Sequence, residues 1–167
     1  MERKGSPKKA KQNTTWATEV LREDHERIQD LFVDFDDPAE KARRREIVET
    51  VLAEARLHRA LVEEILVPAV RSASGDPSAL SDVQDELEEW EALLQDVESL
   101  ALDDPGFASA WRSLRTELER HLREGDQGLV DLAKTLPLNY VDMGLRMAEL
   151  RRQITAERPT ASQDTSN

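Results

Sequence analysis

The sequence predicts an all-α chain, an up-down-up-down four-helix bundle with an extra short C-terminal helix. Three observations predict it. Of 167 residues, 35% are charged and 38% hydrophobic, with aromatics at 4% and only six glycines; a chain so rich in Ala, Leu, Glu and Arg favours helix over sheet. Apolar residues recur at steps of three and four over long stretches, the period of an amphipathic helix. The breaks between those stretches are short and carry Pro, Gly, Ser and Asp, so successive helices must run antiparallel.

The elements follow in order. Residues 1–14 read as a disordered basic tail and residues 158–167 as a disordered polar one, leaving 15–157 as the bundle. The first helix runs from about Thr15, a plausible N-cap, to Phe35, and DDPAEK breaks it. The second covers about Ala39 to Arg71 and stops at SASGDPS. The third runs from about Leu80 to Leu102, with Ser81 and Gln84 spaced as a capping box. Asp104 as N-cap and Pro105 at the first helical position open a fourth helix that ends near Ala133. A fifth, about Val141 to Glu157, follows LPLN.

Composition removes several function classes. With no cysteine, disulfides, thiolate metal sites and Cys nucleophiles are excluded, and a reducing compartment fits. A net charge of −12 opposes approach to phosphate, so no nucleic-acid partner is expected. No apolar run approaches the roughly 20 residues that span a bilayer, and the basic N-terminus lacks the apolar segment of a secretory signal. The expected location is cytoplasmic, with no membrane partner. No nucleophile–base–orienter set is visible, so no enzymatic activity is expected. The protein partner, if one exists, is not legible.

The chain has three histidines, and each falls on the apolar stripe of a different helix. In the first helix the stripe is Leu21, His25, Ile28, Phe32 and Phe35. In the second it is Val51, Ala55, His58, Val62, Ile65 and Ala69, and in the fourth Leu114, Leu118, His121, Gly125, Leu129 and Leu132. The third helix supplies Val83, Leu87, Trp90, Leu94 and Val97, with no polar member. If roughly one helical position in three faces inward, three out of three is an unusual coincidence. Neutral imidazole is a common metal ligand, and bundle cores commonly house metal sites.

The segments VLREDHERIQDLF, RLHRALVEEILVPAV and ERHLREGDQGLVDLA, in this order and separation, resemble the hemerythrin-like (HHE cation-binding) domain over about residues 16–156. The resemblance implies a bundle enclosing a non-haem di-iron centre held by histidines and carboxylates. It implies a His from an Asp-His pair on the first helix, here Asp24 and His25, and a His followed four residues later by Glu on the second and fourth helices. A further His belongs on the third.

Three of those positions depart from the pattern. Val62 stands four residues after His58, Gly125 four after His121, and Leu87 where the third helix would carry its histidine. Candidate ligands are therefore His25, His58 and His121, with Glu54, Glu117 and Glu124 near the stripe edges as possible replacements for the lost carboxylates. Glu63 and Glu64 point off the His58 direction unless a local bulge turns one of them inward. The expected function is binding of iron, another divalent cation or O2 through an incomplete site. The alternative is a metal-free bundle with a structural or partner-binding role.

Overall fold

The computed structural model describes residues 16–37 and 40–158, with side chains throughout except at 77, 79 and 124–128. The two predicted tails, apart from Arg158, and the proposed Thr15 cap lie outside the described residues. Within them the chain is all-helical, with no strand. Helix α1 spans Ala17–Asp36, α2 Lys41–Leu61, α3 Val67–Ser74, α4 Ser81–Glu98, α5 Phe107–Arg120, α6 Asp126–Lys134 and α7 Tyr140–Glu157. Among the described residues no helix is long and apolar enough to cross a membrane.

The second and fourth predicted helices each form continuously, but each passes through one wider π-helical turn. Val62–Leu66 joins α2 to α3, and His121–Gly125 joins α5 to α6. Such turns insert a residue into the helical register and concentrate at functional sites. One begins at His121 and the other four residues after His58.

Helix ends differ from expectation where local hydrogen bonds compete. Ser81 and Gln84 do not form the predicted capping box. Instead Asp76 caps a 3₁₀ turn, Pro77–Leu80, by accepting from the Ser78 amide, and the Ser81 hydroxyl donates to the Ser78 carbonyl. Asp104 accepts from the Gly106 amide at 2.8 Å, forming a turn that delays α5 to Phe107. α4 ends at Glu98 rather than Leu102. Gly75, with φ of 66°, closes α3 in the left-handed conformation that glycine adopts without strain. Asn139 caps α7 by accepting from the Asp142 amide.

α1 packs on α2, α4 on α5, and α2 on α4, while α7 lies against α1 and α2. Trp16 stacks on Tyr140, so α1 and α7 start at the same end of the molecule. The apolar core falls into two clusters. One gathers Leu21, Leu61, Val62, Leu87, Leu129 and Met147; the other gathers Ile28, Phe32, Ala55, Trp90, Leu114 and Leu118. Along each histidine-bearing stripe the sequence passes from one cluster to the other at the histidine: Leu21–His25–Ile28, Ala55–His58–Leu61, Leu118–His121–Leu129. A polar layer therefore divides the core. Leu61 is fully buried beside it. Leu61→Ala is expected to cost about 2–5 kcal/mol, read as a lower urea midpoint with the helical signal retained at zero denaturant.

Candidate metal centre

The three predicted histidines meet in that layer. α1 supplies His25, the last turn of α2 supplies His58, and the π turn after α5 supplies His121. His58 and His121 are buried and His25 is half-buried. One ring nitrogen from each lies within 4.8 Å of those of the others. Ring centroids are 4.7 Å apart for His25 and His58, 6.2 Å for His25 and His121, and 6.0 Å for His58 and His121. His25 Nε2 and His58 Nε2 are separated by 3.2 Å, a hydrogen-bond distance at which one ring offers a lone pair to the other's N–H. A cleft of about 320 Å³, lined by Leu21, Arg22, His25, Leu122 and Arg123, opens beside His25 and gives access from solvent.

Two carboxylates absent from the predicted ligand set lie on the outer sides of the rings. Asp24, 1% exposed, places Oδ2 at 3.3 Å from His58 Nδ1 and gives Oδ1 to the guanidinium groups of Arg27 and Arg151. Glu86 on α4 places Oε1 at 3.3 Å from His121 Nδ1 and accepts from Arg120 at 2.9 Å. Trp90, one turn beyond Glu86, sets its ring 4.1 Å from that of His121 and 6.1 Å from that of His58. α4 thus faces the histidines with Glu86 and Trp90. Leu87, placed by the sequence at the missing histidine position, packs in the apolar cluster with Leu61 and Val62.

The predicted auxiliary carboxylates are engaged elsewhere. Glu54 lies 3.5 Å from Arg27 Nε, and Glu117 is paired with Arg120. Neither joins the group of close metal donors, and the Glu124 side chain lies outside the described residues. Glu63 and Glu64 remain exposed despite the π turn that contains them.

Burial pushes the Asp24 carboxyl up, but His58, Arg151 and Arg27 together outweigh it and hold the group below its ordinary 3.8. Glu86 is held below its ordinary 4.5 chiefly by His121, against the opposing effect of burial and with help from Arg120. A carboxylate whose folded pKa is lowered contributes stability that is present above the unfolded value and is lost as pH falls through the folded one. Stability is therefore expected to fall below about pH 4.5. Glu86→Gln should show a shallower loss than the wild type in denaturant midpoints between about pH 5 and pH 3. A wild-type slope no steeper than that of the variant would contradict the pairing.

The donor set fits one ion and not two. Nitrogens on adjacent corners of a tetrahedral site with bonds of about 2.1 Å lie roughly 3.4 Å apart. The His25–His58 separation of 3.2 Å is close to that, and a His121 ring nitrogen lies within 4.8 Å of the donors of both. Carboxylates behind His58 and His121 are the usual support that fixes a ligating imidazole. A pair of irons needs additional oxygen donors to offset its charge; buried Val62 stands at one position that would offer a carboxylate, and buried Leu87 at the position of the further histidine.

The Hemerythrin family model, described as the hemerythrin HHE cation binding domain, matches residues 17–133. Among curated proteins, a DNA nickase of Nostoc sp. (strain PCC 7120 / SAG 25.82 / UTEX 2576) is 25% identical over 111 residues. That match covers 66% of this chain and 31% of the relative, so the chain spans about a third of that protein's length. No solved structure matches significantly.

Proposed function

This chain belongs to the hemerythrin HHE cation-binding domain family, and on that premise we propose that it binds one divalent transition-metal ion through His25, His58 and His121. The observation that supports the reading is the convergence of three imidazoles from three helices, with donor nitrogens all within 4.8 Å. In this reading the helices form the family's up-down-up-down bundle with α7 appended, and the protein is a cytoplasmic binding protein rather than an enzyme. Once bound, such an ion offers Lewis acidity and an open position for a small ligand; O2 is a ligand only if the ion is redox-active. Asp24 and Glu86 hold the rings, and Trp90 shields them from water.

A second reading keeps the bundle metal-free, with a structural or partner-binding role. The 3.2 Å contact between His25 and His58 favours it, since a ring-to-ring hydrogen bond satisfies both nitrogens without an ion. Nicking of DNA, the activity in the Nostoc relative's name, belongs to a much longer protein, and the net charge of −12 weighs against carrying it over.

Protein purified without a His-tag and equilibrated with excess Zn²⁺ or Fe²⁺ is expected to retain about one ion per chain and to melt at higher temperature, as preferential binding to the folded state requires. Retention of none favours the second reading. Retention of two irons with the absorption of an oxo-bridged pair contradicts both.

A further inference from the structure

The family match ends at residue 133, yet a side chain from α7 reaches the candidate centre. Arg151 donates to Asp24 Oδ1, and Oδ2 of the same carboxylate faces His58 Nδ1 at 3.3 Å. We propose that Arg151 is a positioning residue of the metal centre: acting through Asp24, it fixes the ring of His58, so a helix outside the family-matched region sets ion affinity. The inference rests on the reading of His58 as a ligand.

A buried carboxylate must be compensated by cations and donors, or it rotates or takes up a proton. Arg27 and Arg151 both serve Asp24, but they are not equivalent. Arg27 is on the same helix three residues on, its side chain is 41% exposed, and it also lies 3.5 Å from Glu54. Its charge is shared and partly solvated. The Arg151 side chain is 26% exposed and comes from a different helix, anchored by buried Met143 and Met147. With Oδ1 committed to the guanidinium groups, Oδ2 is left to accept the His58 Nδ1–H. That tautomer turns the Nε2 lone pair inward, where Nε2 lies 3.2 Å from His25. At His121 the same arginine–carboxylate–histidine order is built from Arg120 and Glu86, both inside the matched region. At His58 the support comes from α7.

The test compares Zn²⁺ affinity and the His58 ring ¹⁵N signals in wild type, Arg151→Ala, Arg151→Lys and Met147→Ala. Loss of a group supporting a ligand costs about 10- to 100-fold in affinity, so Arg151→Ala is expected to bind Zn²⁺ about tenfold more weakly or worse. Arg151→Lys should recover part of the loss, because it keeps the charge without the fork. Met147→Ala removes packing from the same helix and should lower stability while leaving affinity unchanged. Equal affinity in Arg151→Ala and wild type overturns the proposal, as does an equal loss in Met147→Ala. Should Arg151→Ala fail to fold, Arg151→Gln takes its place. If the wild type takes up no Zn²⁺, the metal-binding reading fails by itself. The ¹⁵N signals of metal-free protein then decide: an Nδ1–H tautomer of His58 that survives in Arg151→Ala rejects the inference, and a shift to the other tautomer or a mixture supports it.

Discussion

Asp24→Ala is expected to destabilise the fold by about 3–5 kcal/mol, the cost of removing one partner from a buried charged network. Asp24 is nearly inaccessible to water, and three groups converge on it: Arg27, Arg151 and the His58 ring. Its removal leaves the His58 Nδ1 side without its acceptor in a buried layer, while the two guanidinium groups lose a common anion. Arg27 can turn towards Glu54 and solvent, but His58, 0% exposed, cannot. Asp24→Asn keeps the shape and one acceptor and should fall between wild type and Asp24→Ala. Urea unfolding at neutral pH measures both. A loss under about 1 kcal/mol for Asp24→Ala, the scale of an exposed ion pair, would contradict the network.

The second large effect concerns binding. His58→Gln should weaken Zn²⁺ binding by more than the roughly 100-fold upper range for losing a supporting group, because a donor atom itself disappears. The His58 ring lies between Asp24 on one side and His25 on the other. Glu117→Gln is the matched control, since its carboxylate is committed to Arg120 and is not among the close donors. Calorimetric titration reads both. Comparable losses in the two variants would mean that Glu117, not only the histidines, reaches the ion.

Most of the helices and the convergence of His25, His58 and His121 were legible in the sequence, because apolar spacing of three and four places a residue on a face without any knowledge of its neighbours. The support of the site was not. In α1, positions 24 and 25 both satisfy the spacing between Leu21 and Ile28, and an apolar-stripe rule has no reason to bury an aspartate. In α4, position 86 fits between Val83 and Trp90 as well as position 87 does, and the apolar rule selects the leucine over the carboxylate. Both acids are kept inside by arginines, and Arg151 reaches Asp24 across 127 residues of sequence. The π turns at Val62–Leu66 and His121–Gly125 leave no sharp sequence signal either. The caps at Ser81 and Asp104 missed by a few residues, since short polar side chains can serve several neighbouring turns equally well.

The most direct measurement of the central claim is a Co²⁺ titration of tag-free protein followed by visible absorption, in parallel for wild type and for the variant with His25, His58 and His121 all replaced by Gln. Three imidazoles around one ion predict ligand-field bands that saturate at about one Co²⁺ per chain and are missing from the triple variant. Bands that persist in the triple variant, saturation at two ions per chain, or no bound Co²⁺ in the wild type would contradict it.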